Sequence, residues 1–139
     1  MAEYSDSFPN DRTYLGKMRL AIMTFATGWC SGEPLADIEF AVGEALANSV
    51  EHGHSPSSVL RIHCLCDGVQ LTIEIKDNGP GFVARPWDER REVFAVRGYG
   101  TSIMHELMDA VEYTEGGTRI RLVKKLNAPF AVERDAAFG

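Results

Sequence analysis

Glu44-Ala-Leu-Ala-Asn48-Ser-Val-Glu-His52 is the stretch on which the reading of this chain turns. Around it, Leu35, Ile38, Val42, Ala45, Leu46 and Ser49/Val50 recur at three- and four-residue spacing, the pattern of a helix with one face against a core. Pro34 opens that helix in its first turn, where a missing amide proton costs nothing, and Gly53 is a typical C-terminal stop. Glu44, Asn48 and His52 are four apart and so stack as neighbours on another side of the same helix. A carboxylate can take up a proton, and an amide oxygen suits a hard cation such as Mg²⁺. Ala45, Ala47 and Gly53 beside them leave room for a ligand. Taken alone, the stripe is equally an ordinary solvated face.

Working outward, Pro9-Asn10-Asp11 marks a break, and Tyr4 and Phe8 before it suggest a short edge strand. Asn10 or Asp11 can cap a helix from about residue 12 to 27, with Tyr14, Leu15, Met18, Ile22, Phe25 and Ala26 as its buried stripe. After the central helix come two strands. Val59 to Cys66 is one, and Val69 to Ile75, alternating at Val69, Leu71, Ile73 and Ile75, is the other; Asp67-Gly68 between them is a strong hairpin signal. The second strand runs into Asp77-Asn-Gly79-Pro-Gly81-Phe82. Residues 83–97 are charged and irregular. Arg97-Gly98-Tyr-Gly100-Thr101 then leads into a helix with Ile103, Met104, Leu107 and Met108 inward. Val111–Tyr113 and Thr118–Val123 form a second hairpin around Glu115-Gly116-Gly117, and 127–139 reads as a loose tail. The expected fold is α+β, a two-layer sandwich with helices on one face of a mostly antiparallel sheet.

The bulk numbers are those of one ordinary domain, with 139 residues, 45% apolar and 24% charged. A formal charge of −6 speaks against direct nucleic-acid binding, which normally needs a basic patch. It leaves a nucleotide site open, because backbone amides and a metal ion can handle phosphate locally. No apolar run approaches the roughly 20 residues that span a bilayer, and no signal peptide is visible, so the expectation is a cytoplasmic protein without membrane association. Three cysteines, an odd count, fit a reducing compartment. Cys64 and Cys66 share one strand face and read as buried thiols, since zinc would need a second pair of ligands that the sequence lacks.

The two glycine loops are each weak signals. Asp77-x-Gly79-x-Gly81 at a strand end permits close backbone approach to a ligand, with a carboxylate able to accept a hydrogen bond from an exocyclic amine. Gly98-x-Gly100 before a helix makes a phosphate cradle. Neither loop is a Walker motif or a dinucleotide fingerprint.

In order, however, E-A-x-x-N-x-x-x-H on a helix, D-x-G-x-G-F after a strand, R-G-x-G before a helix and G-G-T between strands resemble the GHKL ATP-binding superfamily, the histidine-kinase-like or Bergerat fold. The short length and the run Gly98-Tyr-Gly-Thr-Ser-Ile-Met-His-Glu-Leu-Met-Asp-Ala-Val-Glu-Tyr113 look like the anti-sigma factor serine kinases of bacterial partner-switching systems. The resemblance covers residues 4–126, nearly the whole of a single ATP-binding domain spanning 1–139. It implies ATP and Mg²⁺ as cofactors and transfer of phosphate to a serine of an anti-sigma factor antagonist, with a sigma factor as a second partner. By the same resemblance Glu44 is the general base, Asn48 the Mg²⁺ ligand and Asp77 the adenine contact, with Gly79 and Gly81 shaping the pocket wall. Gly98, Gly100 and Thr101 belong to the ATP lid, Arg97 reaches a phosphate, and Thr118 lies near the adenine. Thr101 stands where an apolar residue is common in the family, and His52 fills the motif's last place with a less defined role. A homodimer through the sheet is left open. The alternative is a non-catalytic, ATP-gated binding module of the same fold; a detached histidine-kinase domain ranks below both, because no phosphoacceptor helix pair precedes residue 12.

Overall fold

The structure, a computed structural model, describes residues 1–52, 58–78, 102–114 and 118–126. Within them, strand β1 (Ala2–Pro9) leads through a 3-10 turn at Arg12–Tyr14 into helix α1 (Leu15–Ala26) and helix α2 (Gly32–His52). Strands β2 (Val59–Cys66), β3 (Gln70–Asp77), β4 (Ala110–Thr114) and β5 (Arg119–Lys125) follow, and residues 102–107 are helical. The strands form one sheet in the order β1-β2-β3-β5-β4, every described pairing antiparallel. Helix α1 packs on α2 and β2, and α2 on β3 and β5, which gives the expected two-layer α+β sandwich.

Period-2 alternation decides which strand residues meet the helices. Leu60, Ile62, Cys64 and Cys66 of β2, Leu71, Ile73 and Ile75 of β3, and Ile120 and Leu122 of β5 are buried there. They meet Met18, Ile22, Met23 and Ala26 of α1 and Ile38, Ala41, Val42, Ala45 and Leu46 of α2 in a single cluster. The buried stripe of α2 is therefore the one its spacing predicts, widened by Ala41. Burial pushes the Cys64 thiol up to about 12, so it is an inert core group.

The edge strand is longer than Tyr4 and Phe8 alone suggested, because β1 pairs along the full length of β2, from Ala2 opposite Cys66 to Pro9 opposite Val59. Its half-buried Tyr4 stacks on Phe25 of α1, with ring centroids 6.5 Å apart. Asp11 is the residue that caps the first helical turn, accepting a hydrogen bond from the Thr13 amide at 3.0 Å. The β2–β3 hairpin turns at Gly68, whose φ of +90° only glycine adopts freely; Asp67 Oδ1 accepts from the amides of Val69 (2.8 Å) and Gln70 (2.9 Å). Those bonds hold the Asp67 carboxyl below its usual range.

Two expectations are corrected. Ile103 is exposed, so only Met104, Leu107 and Met108 of that helix turn toward the core. The 12–27 helix begins as a 3-10 turn and becomes α-helical at Leu15. The Glu115-Gly116-Gly117 turn, Gly53, residues 83–97 and the tail 127–139 lie outside the described residues.

Lys124 continues the alternation of Ile120 and Leu122 and so meets the helix layer rather than solvent. Its Nζ donates to Asp37 Oδ2 of α2 at 3.0 Å and to the carbonyl of Leu107 at the end of the 102–107 helix. A charged pair here ties three elements together at the hairpin end of the sheet.

Candidate functional site

The other end of the sheet gathers the predicted chemistry. Asp77 closes β3, buried at 3% exposure, and its amide donates to the carbonyl of Thr118, just before β5, at 2.8 Å. The antiparallel register that opposes Lys76 to Arg119 brings these two positions together from 41 residues apart in sequence (118 minus 77). A carboxylate and a threonine at one corner of the core can address the edge of a heterocycle, the carboxylate accepting from an amine.

Helix α2 packs on β3 and β5, with Asp37 tied to Lys124 at the hairpin end and the Ser49 carbonyl tied through Asn10 to Ser58 beside the start of β2, so its Asn48 turn lies toward the Asp77 end. Asn48 does not lie on a solvated face. It is 4% exposed, so the bland reading of the stripe fails at its central member. One turn earlier, Glu44 Oε2 is buried and has no hydrogen-bond partner among the described residues. Burial of a carboxylate oxygen without a partner is unfavourable by about 1–3 kcal/mol or more, so such an atom calls for an explanation outside core packing.

Mg²⁺ binds hard oxygens and usually takes only one or two from the protein, the rest coming from phosphates and water. The buried Asn48 carboxamide offers one such oxygen. No group of three or more His, Cys, Asp or Glu among the described residues could hold a metal without a ligand's help. The residues present therefore fit a metal that arrives with its nucleotide.

Of the predicted site residues, Gly79, Gly81, Arg97, Gly98, Gly100 and Thr101 lie outside the described residues, as does the side chain of His52. Two polar residues at this end were not singled out as site residues. Asn10 Nδ2 donates to the carbonyl of Ser49 (3.4 Å) and to Ser58 Oγ (3.1 Å), and Asn78 Oδ1 accepts from the amide of Val59 (2.9 Å). Asn78 sat inside the Asp77 loop motif as a variable position, and Asn10 passed as one of two capping candidates. A shallow depression on the helix-free face, lined by His63, Leu65, Thr72, Glu74 and Arg121, contains none of the predicted site residues.

A carboxylate corner at a strand end thus accompanies a helix bearing a buried amide and a carboxylate oxygen without a partner among the described residues. Residues 8–124 match the histidine kinase-like ATPase domain, and the chain belongs to that family. It is 36% identical over 106 residues to an anti-sigma F factor from Clostridium botulinum, covering 68% of this chain and 73% of that one. An anti-sigma F factor from Oceanobacillus iheyensis is 30% identical over 122 residues, covering 78% and 82%. Among solved structures, the histidine kinase domain of the blue-light activated kinase from Erythrobacter litoralis superposes with a TM-score of 0.53 at 21% identity. That match covers 88% of this chain and 62% of the other, and it speaks for the fold alone. No helix among the described residues is long and apolar enough to cross a membrane.

Proposed function

We propose that this chain is an ATP-dependent anti-sigma factor that works as a protein serine/threonine kinase: it transfers the γ-phosphate of ATP to a serine of a small antagonist domain and holds a sigma factor in the alternative partner state. The observation that carries the catalytic part is the buried, unpartnered Oε2 of Glu44. A domain that only bound nucleotide would gain nothing from a carboxylate held in this way.

Asp77 accepts from the adenine amine, and Thr118, bonded to it through the main chain, lines the same corner. Asn48 presents its side-chain oxygen to Mg²⁺, which when bound neutralises charge developing on the phosphates. Glu44 takes the proton of the attacking serine hydroxyl. Gly98 and Gly100 offer main-chain amides to the phosphates, with Arg97, Thr101, Gly79 and Gly81 around the nucleotide. Little covalent chemistry falls to the protein, whose contribution is positioning and charge stabilisation. The anti-sigma F factor relatives, each matched over nearly three quarters or more of its length, support the choice of partners.

The test is incubation of the chain with γ-labelled ATP, Mg²⁺ and a serine-bearing antagonist domain. Label on a serine of the antagonist, absent with Glu44→Gln although that variant still binds ATP, is the expected result. Glu44→Gln with full transfer would overturn the general-base role. ATP-dependent partner binding with no transfer by the wild type would leave the non-catalytic, ATP-gated module as the correct reading.

A further inference from the structure

We infer that Asn10 and Asn78 are positioning residues of the nucleotide site: Asn10 fixes the Asn48 turn of α2 and Asn78 fixes the Asp77 corner of β3, both against the start of β2. The inference rests on the nucleotide reading above and adds two residues to it.

Ser49 lies in the last turn of α2. Asn10, 39 residues earlier in the chain, supplies a donor to the Ser49 carbonyl, directly beside Asn48. The same amide group donates to Ser58 Oγ, and the Asn10 main-chain amide donates to the Ser58 carbonyl at 3.0 Å. Asn10 thus grips residue 58 twice and the end of α2 once. The next residue, Val59, donates its amide to Asn78 Oδ1, and Asn78 is bonded in sequence to Asp77, whose own amide reaches Thr118. The path from Asn48 to Asp77 therefore runs Ser49, Asn10, Ser58, Val59, Asn78. Side-chain amides make its two critical links, and neither link belongs to a helix or to the sheet ladder.

This layout separates two tasks. Asn10 sets the height of the α2 turn that carries the metal ligand, and Asn78 sets the strand end that carries the adenine carboxylate. Asn10 Oδ1 is also buried without a hydrogen-bond partner among the described residues. Two donations from one group need the NH₂ of a carboxamide, since a serine or threonine hydroxyl has a single hydrogen to give.

The distinguishing readout is the gain in ATP affinity on adding Mg²⁺, measured calorimetrically as the ratio of Kd in EDTA to Kd in Mg²⁺. Asn10→Ala shrinks that ratio by about fivefold, the size of one ordinary hydrogen bond, and leaves the EDTA affinity nearly unchanged. Asn10→Asp keeps the shape but sets an acceptor against the Ser49 carbonyl, and it shrinks the ratio at least as much. Asn78→Ala weakens ATP about fivefold in both conditions, leaves the ratio where it was and leaves the affinity for ITP, which lacks the adenine amine, unchanged; an equal loss for both nucleotides would overturn its part. Equal losses with and without metal in the Asn10 variants, or no loss, would overturn the inference, since a merely structural tie would act on both alike. The wild-type chain gives a reading that needs no variant. Mg²⁺ with ATP should slow amide exchange at Asn10 and Val59, ATP in EDTA chiefly at Val59, and unchanged exchange at both sites contradicts the inference. A wild type that takes up no ATP under either condition would instead break the nucleotide reading.

Discussion

The two ends of the sheet handle polar groups in opposite ways. At the hairpin end, Asp67 accepts two main-chain amides, Lys124 meets Asp37 and the Leu107 carbonyl, and Asp109 Oδ2 accepts from the Lys125 amide at 2.6 Å. Those groups are satisfied inside the fold and hold it together. At the opposite end, Asn48 and Asp77 are buried within the same core, yet the Glu44 carboxylate keeps an oxygen without a partner among the described residues. Both ends break the rule that cores are apolar, and among the described residues the carboxylate oxygen left without a partner at Glu44 lies away from the hairpin end. On the proposed function, unmet hydrogen-bonding capacity, rather than polarity, is what sets the site end apart.

Exchanging groups between the two classes should break the comparison in a graded way. With Glu44 as the proposed base, Glu44→Gln should lower phosphoryl transfer by about 10²–10⁴-fold, with ATP affinity and the urea midpoint held; a transfer assay beside a denaturation curve checks both. Asp77→Asn replaces the carboxylate proposed to accept from the adenine amine. It should weaken ATP by about 10–100-fold, the size of a hydrogen bond to a charged group, while circular dichroism stays native. At the satisfied end the outcome should reverse. Asp37→Ala leaves the Lys124 ammonium without its counter-charge and should lower unfolding stability by about 2 kcal/mol, with ATP affinity unchanged. That figure is below the usual loss for a fully buried pair because the Lys124 and Asp37 side chains keep 13% and 19% exposure.

A last effect is confined to alkaline pH and is absent near neutrality. The Cys64 thiol is pushed from 9.0 up to about 12 by burial, so above pH 9 the unfolded chain releases this proton while the folded chain keeps it. Stability from this group is complete below pH 9 and is lost as pH rises toward 12, by up to about 1.4 kcal/mol per pH unit. A Cys64→Ala variant should show a correspondingly flatter alkaline limb in urea midpoints, and an identical slope would remove the assignment.

Much of this contrast was legible from sequence because its parts are local. Apolar spacing gave the α2 stripe, alternation gave β2 and β3, and Asp67-Gly68 gave the hairpin, each set by neighbours in the chain. Even Lys124 carried a signal, as the next member of the Ile120, Leu122 alternation, although charge suggested an outward position. Asn48 and Glu44 were read as one polar stripe, but their differing states, one buried and one with an unpartnered oxygen, depend on how α2 lies over β3 and β5. Asn10 had no local signal for its actual partners, which are 39 and 48 residues away. A turn-forming asparagine next to a capping aspartate looks the same whether or not it grips a distant helix end. Ile103 was misread for a related reason, since helical spacing on a short segment does not say how much of the stripe the sheet covers.

Calorimetric titration of ATP into the chain, with Mg²⁺ and then with EDTA, tests the central claim most directly. If the end of the sheet holding Glu44, Asn48 and Asp77 is the nucleotide site, ATP binds in the micromolar range and more tightly with the metal. Absence of binding in both conditions, by a chain that is folded, would contradict it.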